Sequence, residues 1–112
     1  MRPTDDPTAK HPNKVLNLLK TLVAQGAIHY SSKVGRFIQE GFYGIEDLKI
    51  CILTATAIHK TENDELGSAS DGYKYTIIDR DTQGYQFYIC GKIILSQDNP
   101  RLYFFITAHK AD

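Results

Sequence analysis

The chain has 112 residues, of which 42% are hydrophobic and 11% aromatic, which predicts one folded domain with a single core and excludes a disordered chain. Its 13 basic and 13 acidic residues give a formal net charge of zero, which argues against charge-driven coating of nucleic acid but allows a local basic patch. No apolar run approaches the ~20 residues of a membrane span, so no membrane association is expected.

The N-terminus and the cysteines indicate a cytoplasmic protein. Residues 1–12 are polar and contain three prolines, which is not the pattern of a signal peptide. Cys51 and Cys90 are therefore expected to be reduced and to act as small buried apolar residues rather than to form a disulfide. The four histidines show no ligand spacing, and the acidic pairs lack calcium-loop spacing, so no metal and no other cofactor is expected.

Residues 1–12 are predicted to be a flexible arm, and residues 13–112 a single domain. The first predicted element of this domain is a helix. His11-Pro12-Asn13 has the pattern of a helix start, and Gly26 ends the helix. Between them, apolar residues recur at helical spacing: Val15, Leu18, Leu19, Leu22 and Val23.

Two more helices are predicted in the first half of the chain. Ile28-His29-Tyr30 is a short extended piece that precedes them. Ser31 or Ser32 can cap the second helix, which Gly41 closes. The third helix follows Gly44.

The second half of the chain predicts strands. Thr56–Thr61 is predicted to be the first strand, and the polar segment Glu62–Gly72 is predicted to be a loop. Residues 81–84 form a turn that ends in a glycine, and Gln97–Pro100 makes another. Three helices followed by four antiparallel strands make an α+β fold, with the helices packed on the sheet. The three later strands are Tyr73–Ile78, Tyr85–Leu95 and Arg101–His109.

These strands alternate between two faces. The predicted core face holds Tyr73, Tyr75, Ile77, Phe87, Ile89, Ile93, Leu102, Phe104, Ile106 and Ala108. The opposite face holds Lys74, Thr76, Gln86, Tyr88, Lys92, Arg101, Tyr103, Thr107 and His109. A solvated face can have this composition by chance, but the same side chains suit binding and cleavage of a phosphodiester.

Several segments in a fixed order also carry a family resemblance, over roughly Asn13–Ala111. The segments are Ile28-His29-Tyr30-Ser31 leading to Arg36 and Gly41; Asp47-Leu48; Gly72–Ile77 followed by Asp81 and Gly84; Tyr88 with Lys92; and Ile106–Ala111. Together they resemble a small uncharacterised bacterial domain family related to the RelE, BrnT and MqsR ribonuclease toxins of toxin–antitoxin systems.

The resemblance implies a RelE-like fold and metal-independent cleavage of messenger RNA, in some members on the ribosome. In that chemistry the RNA 2′-hydroxyl attacks the adjacent phosphate, while a base, a cation and an acid assist. The implied partners are RNA and a cognate antitoxin of the zinc-ribbon or helix-turn-helix type. The chain is thus predicted to be an mRNA interferase, a toxin-like endoribonuclease.

The resemblance also implies catalytic residues. The mid-strand tyrosine of the MqsR-like toxins corresponds to Tyr88. Their terminal basic residue corresponds to His109 or to Lys110. Lys74 lies where a polar strand residue is expected. An exposed residue without a role remains the alternative for each of them.

Three further basic residues are predicted to bind substrate. Arg36 matches the arginine of the helix that follows the serine, although it can equally pair with Glu40 four residues later. Lys60 is a looser match in the first strand. Lys92 belongs to the polar face, where lysines are commonly only solvated.

The sequence also allows a second function, in which the domain has the same fold but no catalytic activity. Lys33 stands where related sequences usually have a histidine, and the neutral charge disfavours RNA affinity. On this view the domain is a non-catalytic binding or interaction module. The exposed edges of a small antiparallel sheet invite peptide addition or a homodimer.

Overall fold

The computed structural model describes residues 12–96 and 101–111 of the chain. The predicted arm lies outside this range except for Pro12, where the first helix begins, and the turn predicted for Gln97–Pro100 also lies outside it. No helix in the described range is long and apolar enough to cross a membrane. The elements in chain order are α1 (Pro12–Ala24), β1 (Ile28–Tyr30), α2 (Ser32–Gln39), α3 (Ile45–Thr54), β2 (Lys60–Asn63), β3 (Tyr73–Arg80), β4 (Gln86–Ile94) and β5 (Leu102–Lys110).

The helices follow the predicted pattern. Apolar residues of α1 at helical spacing are buried, with Leu19 and Val23 fully so, because they share the face that packs on the sheet. The apolar face of α3 contributes Leu48 and Ile52 to the same core. All three helices contact the sheet or one another through this core.

Ser31 is the N-cap of α2 and also ties this helix to the sheet. Its Oγ accepts a hydrogen bond from the Val34 N–H at 3.2 Å and donates one to the Ile106 carbonyl at 2.8 Å. The second bond joins residues 75 positions apart. Of the two serines predicted as caps, Ser31 has this role and Ser32 is the first residue of the helix.

We expect Ser31→Ala to lower the free energy of unfolding by about 1–2 kcal/mol, because it removes an N-cap and leaves a backbone carbonyl without its donor. Urea unfolding would measure the loss. Ser32→Ala is the matched control, since Ser32 is exposed and is not the cap. Equal stability of the two variants would contradict this role for Ser31.

The sheet corrects the predicted fold. A four-stranded antiparallel sheet was expected, but the sheet has five strands in the order β1-β5-β4-β3-β2. It is mixed, because β1 runs parallel to β5 while the other pairs are antiparallel. Ile28–Tyr30 is too short for its alternation to reveal a strand, and its partner is distant in sequence. The strand predicted at Thr56–Thr61 begins later, at Lys60.

One face of the sheet carries the core, and a β-bulge changes which residues of β5 reach it. Cys90 pairs with Thr107, but the next residue, Gly91, pairs with Phe105, so Ile106 is an extra residue in β5. The alternation of β5 therefore switches at this point. Before the bulge, the prediction is wrong for Tyr103 and Phe105, which are fully buried in the core, and Phe104 is only half-buried. Leu102 is buried as predicted.

Gly91 makes room for Tyr103. A Cβ atom at Gly91 would lie 2.2 Å from the Tyr103 hydroxyl oxygen and 2.3 Å from its Cζ. The Tyr103 ring also packs edge-on against Phe105, with 4.7 Å between the ring centroids. Within the described residues the Tyr103 hydroxyl has no hydrogen-bond partner, and burial raises its pKa.

Candidate functional site

The sheet face opposite the helices, here called the outer face, carries most of the predicted site residues. Its strand register shows which of them meet. Tyr88 in β4 lies directly opposite His109 in β5 and Ile78 in β3. Directly opposite residues have Cβ atoms about 4.5–5.5 Å apart, so the Tyr88 and His109 side chains leave the sheet from neighbouring positions. Both are exposed, and 41% of Tyr88 is accessible to solvent.

A chain of side-chain hydrogen bonds leads to Tyr88. The Arg80 guanidinium donates to the Gln86 Oε1 at 3.4 Å, and the Gln86 Nε2 donates to the Tyr88 hydroxyl oxygen at 3.0 Å. The Tyr88 oxygen is thus an acceptor, and within the described residues its hydroxyl donates no hydrogen bond, so its proton can be donated outward.

Two cations lie at this end of the hairpin. The Lys110 Nζ lies 4.5 Å from the centroid of the Tyr85 ring, a cation–π distance. The second cation, Arg80, donates through one guanidinium nitrogen to the Gly84 carbonyl at 2.7 Å, which fixes it beside the turn. We call the area formed by Arg80, Tyr85, Gln86, Tyr88, His109 and Lys110 the strand-end surface.

The turn at residues 81–84 holds the strand-end surface together. Asp81 accepts hydrogen bonds from the Gln83 and Tyr85 N–H groups, both at 2.9 Å. Gly84 adopts a positive φ of 87°, as the sequence predicted. The Asp81 carboxylate is therefore committed to the turn.

Two clefts flank the strand-end surface. One, of about 280 Å³, is lined by Arg80, Gly84, Tyr85, Gln86, Tyr88 and Ala111. The other, of about 270 Å³, is lined by Phe37, Phe42, Tyr43, Ala108, His109 and Lys110. We call the second the aromatic cleft. His109 and Lys110 form part of its wall.

The remaining predicted catalytic residue, Lys74, lies apart from this surface. It is on the outer face of β3, four residues before Ile78, and at ~3.3 Å per residue this is about 13 Å from the level of Tyr88. Its neighbour across the strand pair is Glu62. Glu62 also forms an exposed ion pair with Lys60 at 3.5 Å. Lys60 and Lys74 thus form a second, separate group around a carboxylate.

Lys92 is held in a buried ion pair. Its Nζ lies 3.2 Å from the Asp64 Oδ2, and the two side chains are only 5% and 3% exposed. Asp64 also accepts the Ala69 N–H at 2.8 Å and so closes the loop between β2 and β3. The structure gives Lys92 a role in packing and does not bring it to the strand-end surface.

Arg36 is exposed on α2. It lines a shallow, open depression with Tyr30 and Gln39, away from the strand-end surface. Among the described residues, Arg36 and Glu40 form no ion pair.

Burial controls the acidity of the groups around the site. Desolvation raises the pKa of Tyr43 to about 12, so this phenol stays protonated and donates to the Ala108 carbonyl at 3.0 Å. Burial also raises the pKa of Cys90, and a hydrogen bond with Thr76 opposes this shift. Cys90 is therefore a neutral thiol at neutral pH and a poor nucleophile.

Sequence reasoning placed Gln86 on the polar face without an individual role, and it assigned no role in the site to Arg80, Tyr85 and Phe42. The turn at residues 81–84 was the available signal for the first three, because it places Arg80 and Gln86 opposite each other. No local pattern indicated Phe42, which lies between α2 and α3.

No three His, Cys, Asp or Glu side chains of residues 12–96 and 101–111 are grouped in a way that could hold a metal ion. The fold and the site define an α+β domain with a polar, aromatic surface at one end of its sheet. No protein-family model matches the chain, and no curated protein or solved structure is significantly similar to it.

Proposed function

We propose that the domain is a toxin-like endoribonuclease that cleaves single-stranded RNA by attack of the 2′-hydroxyl on the adjacent phosphate. The pairing of Tyr88 with His109 on an exposed strand end is the observation that carries the proposal. It joins an imidazole, which can accept or donate a proton, to a phenol for which no donated hydrogen bond is found among the described residues. Arg80 and Lys110 supply positive charge at the same end of the sheet, Arg80 through its contact with Gln86 and Lys110 beside the Tyr85 ring.

The proposed reaction forms the P–O2′ bond and breaks the P–O5′ bond. His109 accepts the proton of the 2′-hydroxyl, and Tyr88 gives its proton to the leaving 5′-oxygen. Lys110 and Arg80 stabilise the negative charge that develops on the phosphorane oxygens. The products are a 2′,3′-cyclic phosphate and a 5′-hydroxyl. His109 then releases its proton to water, and water reprotonates Tyr88.

The other basic residues predicted to act on RNA are assigned to backbone binding in this proposal. Lys60 and Lys74 lie farther along the same face as Tyr88, and Arg36 lies on α2. Lys92 is left out, because the buried Asp64 carboxylate occupies it. A cognate antitoxin of the zinc-ribbon or helix-turn-helix type would act by covering the strand-end surface in the cytoplasm.

The test is cleavage of an end-labelled single-stranded RNA by the purified chain in buffer containing EDTA. We expect fragments that end in a 2′,3′-cyclic phosphate, and no cleavage at a position that carries a 2′-deoxy sugar. His109→Ala should slow cleavage at least about 100-fold, the usual scale for loss of a positioned acid or base. Tyr88→Phe should also slow it.

The chain contains a matched control for the histidine substitution. His29 is an exposed residue of β1, outside the strand-end surface, so His29→Ala should leave the rate unchanged. Equal cleavage rates for His109→Ala and His29→Ala would mean that His109 takes no part in cleavage and would contradict the proposed mechanism.

A binding module without catalysis is the second candidate. It is favoured by the separation of Lys74 from the Tyr88–His109 pair, by the pairing of Lys60 with Glu62 and by the zero net charge. On this reading the same assay yields RNA bound but intact, or no RNA binding and capture of a protein at the sheet edge.

A further inference from the structure

We propose that the aromatic cleft holds one unstacked base of a single-stranded RNA, next to the phosphate at the strand-end surface. The inference deepens the proposed function and rests on it for the identity of the ligand. It assigns the site that fixes where along the RNA the Tyr88–His109 pair acts.

The cleft presents aromatic rings in two orientations. Phe42 lies at its mouth and is 57% exposed. Phe37 meets Phe42 nearly edge-on, with the ring centroids 5.4 Å apart and the planes at 82°. Phe37 also lies 6.5 Å from the His109 ring. A planar ring that enters the cleft can therefore stack on the face of Phe42, and its other side can contact the edge of an aromatic ring of the cleft.

The charge of the cleft favours an anion with an aromatic body. Its polar rim consists of Lys110 and His109, and no acidic residue is among the residues that line it. A nucleotide combines a flat base with a phosphate, which suits an aromatic wall beside a lysine. The volume of about 270 Å³ is slightly below that of sites for drug-sized ligands, so the cleft suits one base and not a longer stack.

The floor of the cleft predicts how the base is selected. The Tyr43 hydroxyl donates to the Ala108 carbonyl, so the floor has no unused hydrogen-bond donor on that phenol. Few groups remain to read the edge of a base. Selection should therefore follow stacking strength, with purines preferred over pyrimidines and little further sequence preference.

The position of the cleft determines which nucleotide of the RNA its base belongs to. His109 lines the cleft and is the direct neighbour of Tyr88. A base in the cleft thus belongs to a nucleotide that adjoins the phosphate held between these two side chains.

Binding of 2′-O-methyl RNA hexamers tests the inference, because these probes cannot be cleaved by 2′-hydroxyl attack. One set carries 2-aminopurine at each internal position in turn, and a second set carries an abasic sugar there. At one position we expect 2-aminopurine fluorescence to fall on binding to the wild type. The abasic sugar at that position should weaken binding at least about fivefold, the lower end of the stacking contribution of one base.

Variants at Phe42 separate stacking from bulk. Phe42→Leu should abolish the fluorescence change and weaken binding about fivefold or more, whereas Phe42→Tyr should retain both. Leu66→Ala is the matched control, since Leu66 is 86% exposed in the loop after β2, and it should bind like the wild type.

The outcomes distinguish the two proposals. Hexamers that bind with the expected Phe42 dependence support the base site even when unmodified RNA is not cleaved, in which case only the catalytic proposal fails. Failure of the hexamers to bind, or binding that is the same for Phe42→Leu and the wild type, overturns the base site whatever the cleavage assay shows.

Discussion

Gly91→Ala should destabilise the domain by about 3 kcal/mol, the upper end for overpacking a core. The new methyl group would lie within 2.6 Å of three atoms of Tyr103. The Tyr103 ring is fully buried and packed on Phe105, so it has little room to move. Urea unfolding followed by circular dichroism would measure the loss.

A double-mutant cycle with Tyr103 identifies the cause. Gly91→Ala should remain costly in a Tyr103→Phe background, because the Cζ and Cε1 atoms that clash are still present. In a Tyr103→Leu background these atoms are absent, and the alanine should be nearly neutral or slightly stabilising, since glycine in a strand carries an entropic cost. A cost of Gly91→Ala that is the same in all backgrounds would contradict the steric explanation.

Lys92→Met should cost about 3–5 kcal/mol, because it leaves the Asp64 carboxylate buried without its partner. Methionine keeps most of the side-chain volume, so the effect is mainly electrostatic. Lys60→Met is the matched control. Its ion pair with Glu62 is exposed, with 60% of the Lys60 side chain accessible, and should contribute less than about 1 kcal/mol.

Adding Asp64→Asn to Lys92→Met should recover part of that loss, since asparagine can still accept the Ala69 N–H and carries no charge. A double variant no more stable than Lys92→Met would show that the loss came from packing and not from the isolated carboxylate.

The same pair predicts a pH dependence. Burial raises the pKa of Asp64, but the Ala69 N–H and the Lys92 ammonium lower it by more, so its pKa lies below the ordinary value of 3.8. A carboxyl whose pKa falls on folding stabilises the protein above its unfolded-state pKa, and this stabilisation disappears as the pH drops through the folded-state pKa. Below about pH 4, the wild type should therefore lose stability more steeply than Asp64→Asn. Equal slopes would contradict the shift.

Local sequence patterns were sufficient to predict the helices and the hairpin between β3 and β4. The apolar spacing of α1, the cap at Ser31 and the turn ending at Gly84 are all short-range features. The parallel pairing of β1 could not be predicted from local sequence, because three residues show no periodicity and their partner strand is far along the chain. The bulge at Ile106 was equally hidden, since it depends on pairing between β4 and β5.

Only part of the candidate site could be predicted from the sequence in the same way. Alternation placed Tyr88 and His109 on one face, and the register makes them neighbours. It could not reveal that Lys74 lies four residues along β3 from their level, since the position along the sheet depends on register. It also could not reveal that Asp64 returns to bury Lys92, because that contact depends on the path of a loop.

The parallel pairing of β1 with β5 has a consequence for how the chain folds. Among the strands of residues 12–96 and 101–111, β1 comes first in sequence, yet it pairs with β5, which comes last. It can pair only after β5 has arrived, and closing so long a segment costs entropy before any contact offsets it. On the ribosome, α1 and β1 therefore emerge before β5, and β1 stays unpaired until β5 has been synthesised. Until then, the part of the α1 apolar face that packs on β5 is an exposed surface that a chaperone can bind.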